Sequence, residues 1–207
     1  GWCGVDLKHH HGAIRPARGL RMLIEPLGLV GPIAALNGGV YVNPDLSVIE
    51  SRPLDPAAAR QAVDLMLAGG LDVWVYTGKR WFIRNRASPH VAREEWILKF
   101  APKVTASFTG AELAQAVKIV GISDELAQIA AAERTVCAAI GESASVACSQ
   151  IYYLDVTDRQ ANKGCAVETL GSLMNIAPGQ IATIGDGAND VLMFRKSGFS
   201  IAMGNAS

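Results

Sequence analysis

One short segment near the carboxyl end of the chain constrains its fold more than any other. Residues 181–184 read Ile-Ala-Thr-Ile, as a buried strand does, and Gly185-Asp186-Gly187-Ala188-Asn189-Asp190 follows at once. Such a strand delivers an aspartate to its carboxyl end, where open α/β sheets bind their ligands. Glycines on either side let a metal ion and a phosphate come close to the backbone. The segment therefore predicts a metal-and-phosphate site, with a plain Asp-Gly turn between strand and helix as the alternative.

Two other segments place polar groups at the ends of predicted elements. Asn162-Lys163-Gly164 opens a predicted helix that runs to residue 174, so the Lys163 ammonium and free backbone amides could face a phosphate. A lone lysine at a helix start is more often simply solvated. Asn37-Gly38-Gly39 follows the apolar run 33–36 and leads into Val-Tyr-Val, which is typical of a hairpin. It either presents an amide and bare backbone to a substrate or is only a tight turn.

The remainder of the chain alternates helix and strand signals, which predicts an α/β architecture. Further helices are expected over residues 17–27 and 188–196, and a strand over 199–203 beside that of 181–185 would complete a parallel βαβ series. Changes in composition near residues 52–53 and 157–158 are the best candidates for domain joints. Trp74, Tyr76 and Trp81 lie on predicted strands, where aromatic side chains either belong to the core or stack on a substrate.

Composition excludes several classes of partner. The 207 residues carry 19 basic and 19 acidic side chains and a formal net charge of zero. We therefore expect no bulk electrostatic binding of nucleic acid or of an anionic membrane. No apolar run reaches the length of a membrane span, and the first residues do not resemble a secretion signal. The four cysteines form no Cys-x-x-Cys pair, which favours reduced thiols and a cytoplasmic protein; the oligomeric state stays open.

The three polar segments, together with the closing Ile-Ala-Met-Gly-Asn-Ala of residues 201–206, resemble the haloacid dehalogenase superfamily and its Cof-like (type IIB) branch. The resemblance runs from about residue 15 to the end of the chain. It implies an α/β fold with a Rossmann-like parallel-sheet core and an inserted α/β cap. On this resemblance residues 1–52 and 157–207 form the core, and residues 53–156 form the cap.

The resemblance also implies a reaction and its site residues. A Mg²⁺-dependent phosphatase would hydrolyse phosphomonoesters of small metabolites, such as sugar phosphates or phosphorylated cofactors, through an aspartyl-phosphate. Asp186 would bind the metal, and Lys163 would stabilise phosphoryl oxygens. Asp190 would support Lys163 or the metal shell, and Asn189 would orient phosphate or metal-bound water. Asn37 and Gly38 would bind the substrate. The alternatives are a non-catalytic phosphometabolite-binding protein and a phosphosugar mutase on the same core.

The beginning of the chain departs from this family pattern. The family places Asp-x-Asp after its first strand, whereas here Gly4-Val5-Asp6-Leu7 is followed by Lys8 at the position of the second aspartate. The first possibility is an N-terminal sequence that is incomplete or joined across a gap, with Asp6 as the true nucleophile. The second is that the general acid is missing and the chain cannot turn over substrate. We expect the first.

Overall fold

The computed structural model describes residues 16–206, which form two compact units. The second unit is the continuous segment Arg52–Arg159, and the first unit comprises the described residues on either side of it, 16–51 and 160–206. The α-helices of the described chain are α1 (Arg21–Ile24), α2 (Pro56–Ala68), α3 (Val91–Leu98), α4 (Gly110–Leu113), α5 (Leu126–Ile140), α6 (Lys163–Leu173) and α7 (Val191–Phe194). Its strands are β1 (Ile33–Ala35), β2 (Val40–Val42), β3 (Val48–Ser51), β4 (Asp72–Thr77), β5 (Trp81–Ile83), β6 (Lys103–Val104), β7 (Ala116–Ile122), β8 (Ser145–Gln150), β9 (Tyr153–Thr157), β10 (Ala182–Gly185) and β11 (Phe199–Ala202).

The parallel part of the first unit is the pair β10–β11, with Ala182 opposite Phe199 and Gly185 opposite Ala202. This confirms the predicted strand–helix–strand series, and the α/β class with it. The helix expected over residues 188–196 is shorter than predicted. A 3₁₀ turn, Ala188–Asp190, precedes the four-residue α7. The tighter turn fits the local bonding, since the Asp190 carboxylate folds back onto backbone amides of the preceding loop.

An antiparallel sheet in the order β1-β2-β3 forms the other sheet of the first unit. Its first two strands pair from Ile33–Val42 to Ala35–Val40, so the predicted hairpin around Asn37-Gly38-Gly39 is confirmed. The helix expected over residues 17–27 was wrong in its length, because a 3₁₀ turn, Ala17–Leu20, leads only into the single turn of α1. The sequence analysis also missed β3, whose four residues are all exposed and show no alternation.

The second unit is a six-stranded sheet in the order β6-β5-β4-β7-β9-β8. Helix α2 begins at Pro56, because the Asp55 side chain accepts hydrogen bonds from the amides of Ala57 and Ala58 and a proline suits the first helical position. The buried core joins α2 and α5 to the sheet and includes Val63, Met66, Val73, Val75, Ile119, Ile129, Val136, Leu154 and Val156. The long apolar faces of these helices therefore stabilise the unit by burial.

Trp74 and Tyr76 lie on the opposite face of β4 from the core residues Val73 and Val75, because side chains alternate along a strand. Trp74, Tyr76 and Trp81 are all buried, and their rings pack edge-to-face or stacked on one another. Burial and the neighbouring Glu94 carboxylate raise the pKa of Tyr76 well above its ordinary value. The packing supports the core interpretation of these aromatic residues.

Among the described helices, none has the length and apolarity that crossing a bilayer requires.

Candidate active site

The start of α6 fixes the position of Lys163. Asn162 is extended and its side-chain oxygen accepts a hydrogen bond from the Cys165 amide at 2.9 Å, so the helix begins at Lys163. Gly164 permits close packing, because a Cβ there would lie 2.9 Å from the Leu192 carbonyl oxygen. The first turn of α6 is thus held against α7, and Lys163 is buried with 9% of its surface exposed.

The loop after β10 is organised by Asp190. One carboxylate oxygen, Oδ2, accepts hydrogen bonds from the Asp186 amide at 2.9 Å and from the Gly187 amide at 3.0 Å. Gly185 leaves room for that carboxylate, since a Cβ at this position would stand 2.5 Å from the Asp190 carboxyl carbon. Asp190 is 2% exposed, whereas Asp186 is exposed at the tip of the strand. The loop therefore separates an internal aspartate from one that faces outward.

Lys163 and Asp190 form a buried ion pair. The lysine Nζ donates to Asp190 Oδ1 and also, at 3.4 Å, to Asn189 Oδ1. Burial opposes the charge on Asp190, but the hydrogen bonds from Lys163, Gly187 and Asp186 outweigh it and lower the pKa of the carboxyl below its usual value. Both oxygens of Asp190 are therefore occupied by donors. The geometry favours a positioning role for Asp190, one of the two roles that the resemblance allowed.

The turn after β1 lies against the same helix end. Leu36, Asn37 and Gly38 have φ angles of 50°, 58° and 86°, a conformation that costs energy for the two residues other than glycine. A Cβ on Gly38 would lie 3.1 Å from the Ala166 Cβ and 3.3 Å from the Asn162 carbonyl oxygen. The Asn37 side-chain oxygen is buried and has no hydrogen-bond partner among residues 16–206. Strain next to an unsatisfied acceptor is typical of a binding site.

The structure thus brings Lys163, Asn189 and Asp190 into direct contact, with Gly38 beside the same helix end. Asp6 lies outside the described residues. Within residues 16–206, no three His, Cys, Asp or Glu side chains gather where they could hold a metal ion. The donor set nevertheless fits Mg²⁺, which needs only one or two protein carboxylates and takes its other ligands from water and phosphate. Asp186 supplies such a carboxylate.

One polar contact of Asp186 had no counterpart in the sequence analysis. The Asn205 amide donates to Asp186 Oδ2 at 3.5 Å. Asn205 belongs to the closing segment that carried the family resemblance, yet that resemblance assigned it no role. The signal available in the sequence was its place three residues after the end of β11, which runs parallel to the strand that Asp186 follows.

Comparison with known proteins agrees with this fold. The sequence model of the haloacid dehalogenase-like hydrolases matches residues 14–207. A haloacid dehalogenase-like hydrolase from Bacteroides thetaiotaomicron superposes with a TM-score of 0.83 at 23% identity, over 93% of this chain and 74% of that one. The subclass IIB sugar phosphatase BT4131 superposes with a TM-score of 0.76 at 17% identity, over 93% and 72%. At these identities the likeness shows the fold.

A curated relative matches over a shorter stretch. The phosphoglycolate phosphatase of Archaeoglobus fulgidus is 39% identical over 51 residues, which is 25% of this chain and 23% of that protein. The match therefore spans about a quarter of each protein. The family match, by contrast, covers nearly the whole chain, and the chain belongs to the haloacid dehalogenase-like hydrolase family, as its sequence predicts.

Proposed function

We propose that this chain is a Mg²⁺-dependent phosphatase that hydrolyses phosphomonoesters of small metabolites through an aspartyl-phosphate. Sugar phosphates and phosphorylated cofactors are the expected substrates. The observation that supports the proposal best is the buried Lys163–Asp190 pair beside the outward-facing Asp186. Negative charge accumulates on the phosphoryl oxygens during phosphoryl transfer. The Lys163 ammonium and a metal ion bound by Asp186 would both stabilise that charge.

Lys163 would bind the phosphoryl group. An ammonium group has three donors, and among the described residues two of them are directed to Asp190 and Asn189, so the third would bind a phosphoryl oxygen. Because Asp190 fixes the ammonium before substrate arrives, little reorganisation is needed during the reaction. Asn189 lies close enough to contact the same phosphate, and Asn37 would contact the remainder of the ester from the strained turn.

Asp186 would hold the metal ion. Mg²⁺ bound there supplies a positive charge that neutralises the ester phosphate and its oxygens. The loop orients Asp186 through the hydrogen bond that its own amide donates to Asp190. Lys163 and Asp186 therefore share Asp190 as a common support, and losing Asp190 would disturb both.

Asp6 would be the nucleophile. Its carboxylate oxygen would bond to phosphorus while the ester P–O bond breaks, and the departing alkoxide oxygen would take a proton from solvent water. Water would then hydrolyse the acyl phosphate, releasing inorganic phosphate and restoring the carboxylate. The family uses its second aspartate to protonate the leaving oxygen, and this chain has Lys8 at that position. That substitution is the observation that favours the rival, a protein that binds phosphate esters without turnover.

The unit Arg52–Arg159 would act as the cap and choose the substrate. Its role rests on the family resemblance, which inserts a domain of this size and α/β composition between the two parts of the core.

The experiment measures phosphate release from p-nitrophenyl phosphate and a panel of hexose phosphates, with Mg²⁺ and with EDTA. We expect release that requires Mg²⁺ and falls by at least about 100-fold in Asp186→Asn, because the metal carboxylate is lost. Asp45→Asn, in an exposed turn of the same unit, is the matched control and should keep full activity. Saturable ester binding without release would favour the non-catalytic rival, and isomer formation with a bisphosphate activator would favour a mutase.

A further inference from the structure

The backbone after β11 carries Asn205 to the tip of β10. The parallel ladder continues one bond beyond the strands, because the Met203 amide donates to the Gly185 carbonyl oxygen at 2.9 Å. The Ala206 amide then donates to the Met203 carbonyl oxygen at 2.9 Å and closes a turn. Asn205 lies inside this turn, which one backbone hydrogen bond ties to Gly185, the residue that precedes Asp186.

The Asn205 side chain uses this position to contact the candidate metal ligand. Its Nδ2 donates to Asp186 Oδ2 at 3.5 Å, and within residues 16–206 this is the one hydrogen bond recorded for the Asp186 carboxylate. None of these described residues donates to the other oxygen, Oδ1. Metal-binding carboxylates are commonly arranged in this way, with one oxygen oriented by a neighbouring donor and the other directed at the cation.

We propose that Asn205 is a positioning residue that orients the Asp186 carboxylate for a divalent cation. The proposal rests on the proposed function, since it assumes that Asp186 binds the metal. A neutral amide suits this role better than lysine or arginine, because it orients the carboxylate without a charge that would compete with Mg²⁺. Asp186 is thus held at two points. Its carboxylate accepts from the Asn205 side chain, and its backbone amide donates to Asp190.

The test measures divalent-cation affinity directly, in the absence of substrate. Mg²⁺ is titrated into the full chain by calorimetry, and Mn²⁺ binding is followed by electron paramagnetic resonance. Loss of such a supporting contact commonly weakens metal binding by about 10- to 100-fold. We expect Asn205→Ala to weaken binding by about 10-fold, the lower end of that range, because the site is exposed. Asn205→Asp should bind both cations more tightly than Asn205→Ala, since a second carboxylate adds an oxygen ligand and a charge.

Two further variants separate this proposal from the proposed function. Asp186→Ala should abolish binding, and Asn43→Ala, which removes an exposed asparagine contact in another turn of the same unit, should leave it unchanged. If Asp186→Ala abolishes binding while Asn205→Ala binds as the parent does, only the role of Asn205 is overturned. If the parent binds neither cation, or if Asp186→Ala has no effect, both proposals are overturned. Thermal unfolding without metal should be the same for the parent and Asn205→Ala; a lowered midpoint there would mark a structural role instead.

Discussion

Lys163 and Asp190 lie 27 positions apart in the chain and meet in a buried ion pair. The two side chains are 10% and 3% exposed, so each charge is compensated mainly by the other and hardly by water. Because the same aspartate also accepts two backbone amides of the loop, the pair joins the start of α6 to the loop after β10. The two sequence motifs, at residues 162–164 and 185–190, are therefore bonded directly to each other in the candidate site.

Breaking that pair from one side should destabilise the fold strongly. Lys163→Met leaves a buried carboxylate without its cation, and we expect a loss of about 3–5 kcal/mol in the free energy of unfolding, measured by urea denaturation. The double variant Lys163→Met with Asp190→Asn should recover part of this loss, because a neutral amide needs no cation and can still accept from the loop. Lys196→Met is the control, since its pair with Glu168 is about half exposed and should contribute less than about 1 kcal/mol. Equal losses in the two lysine variants would contradict the prediction.

The turn beside α6 should not tolerate a side chain at Gly38. Its φ of +86° disfavours any other residue, and a Cβ would lie 3.0 Å from Tyr41 Oη as well as close to Ala166. Gly38→Ala should therefore cost about 1–3 kcal/mol by thermal or chemical unfolding. Gly110→Ala offers the comparison, because a Cβ there meets nothing within 4 Å and the residue begins α4. That variant should be neutral or slightly stabilising, and a similar cost at both glycines would disprove the argument.

Cys148 should be slow to react with alkylating reagents. Cys148 is exposed, but partial desolvation by its neighbours and the nearby Glu133 carboxylate raise the pKa of its thiol to about 11, so little of the reactive thiolate exists at neutral pH. The rate of iodoacetamide modification at Cys148, followed by mass spectrometry of its peptide, should rise about tenfold per pH unit and reach no plateau below pH ~10. A plateau near the pKa of an ordinary thiol, at about 8.5, would show that the side chain is not shielded.

The sequence predicted the elements that carry the candidate site better than the elements around them, for physical reasons. Lys163 and Asp186 follow signals that are local, a helix cap and a strand that ends in glycine, and such signals need no knowledge of the fold. The Asn205 contact depends on how a turn continues a parallel ladder, which no local pattern encodes. Similarly, β3 exists because it pairs with β2, and its exposed residues carry no alternation of their own. Asp6 stays a prediction, since it lies outside the described residues.

Substitutions of Trp74 should show whether the aromatic residues of the second unit belong to its core. The side chain is 1% exposed and packs edge-to-face on Trp81, with ring centroids 5.3 Å apart. Trp74→Ala should therefore destabilise the unit by about 3–5 kcal/mol. Trp74→Phe should cost much less, because the indole nitrogen is buried with no hydrogen-bond partner in the described part of the chain and its removal relieves an unsatisfied donor. Trp96→Ala, at a position 71% exposed, should change the unfolding free energy by less than about 0.5 kcal/mol. A Trp74→Ala protein that unfolds like the parent but binds phosphate esters less tightly would instead place this ring in a substrate site.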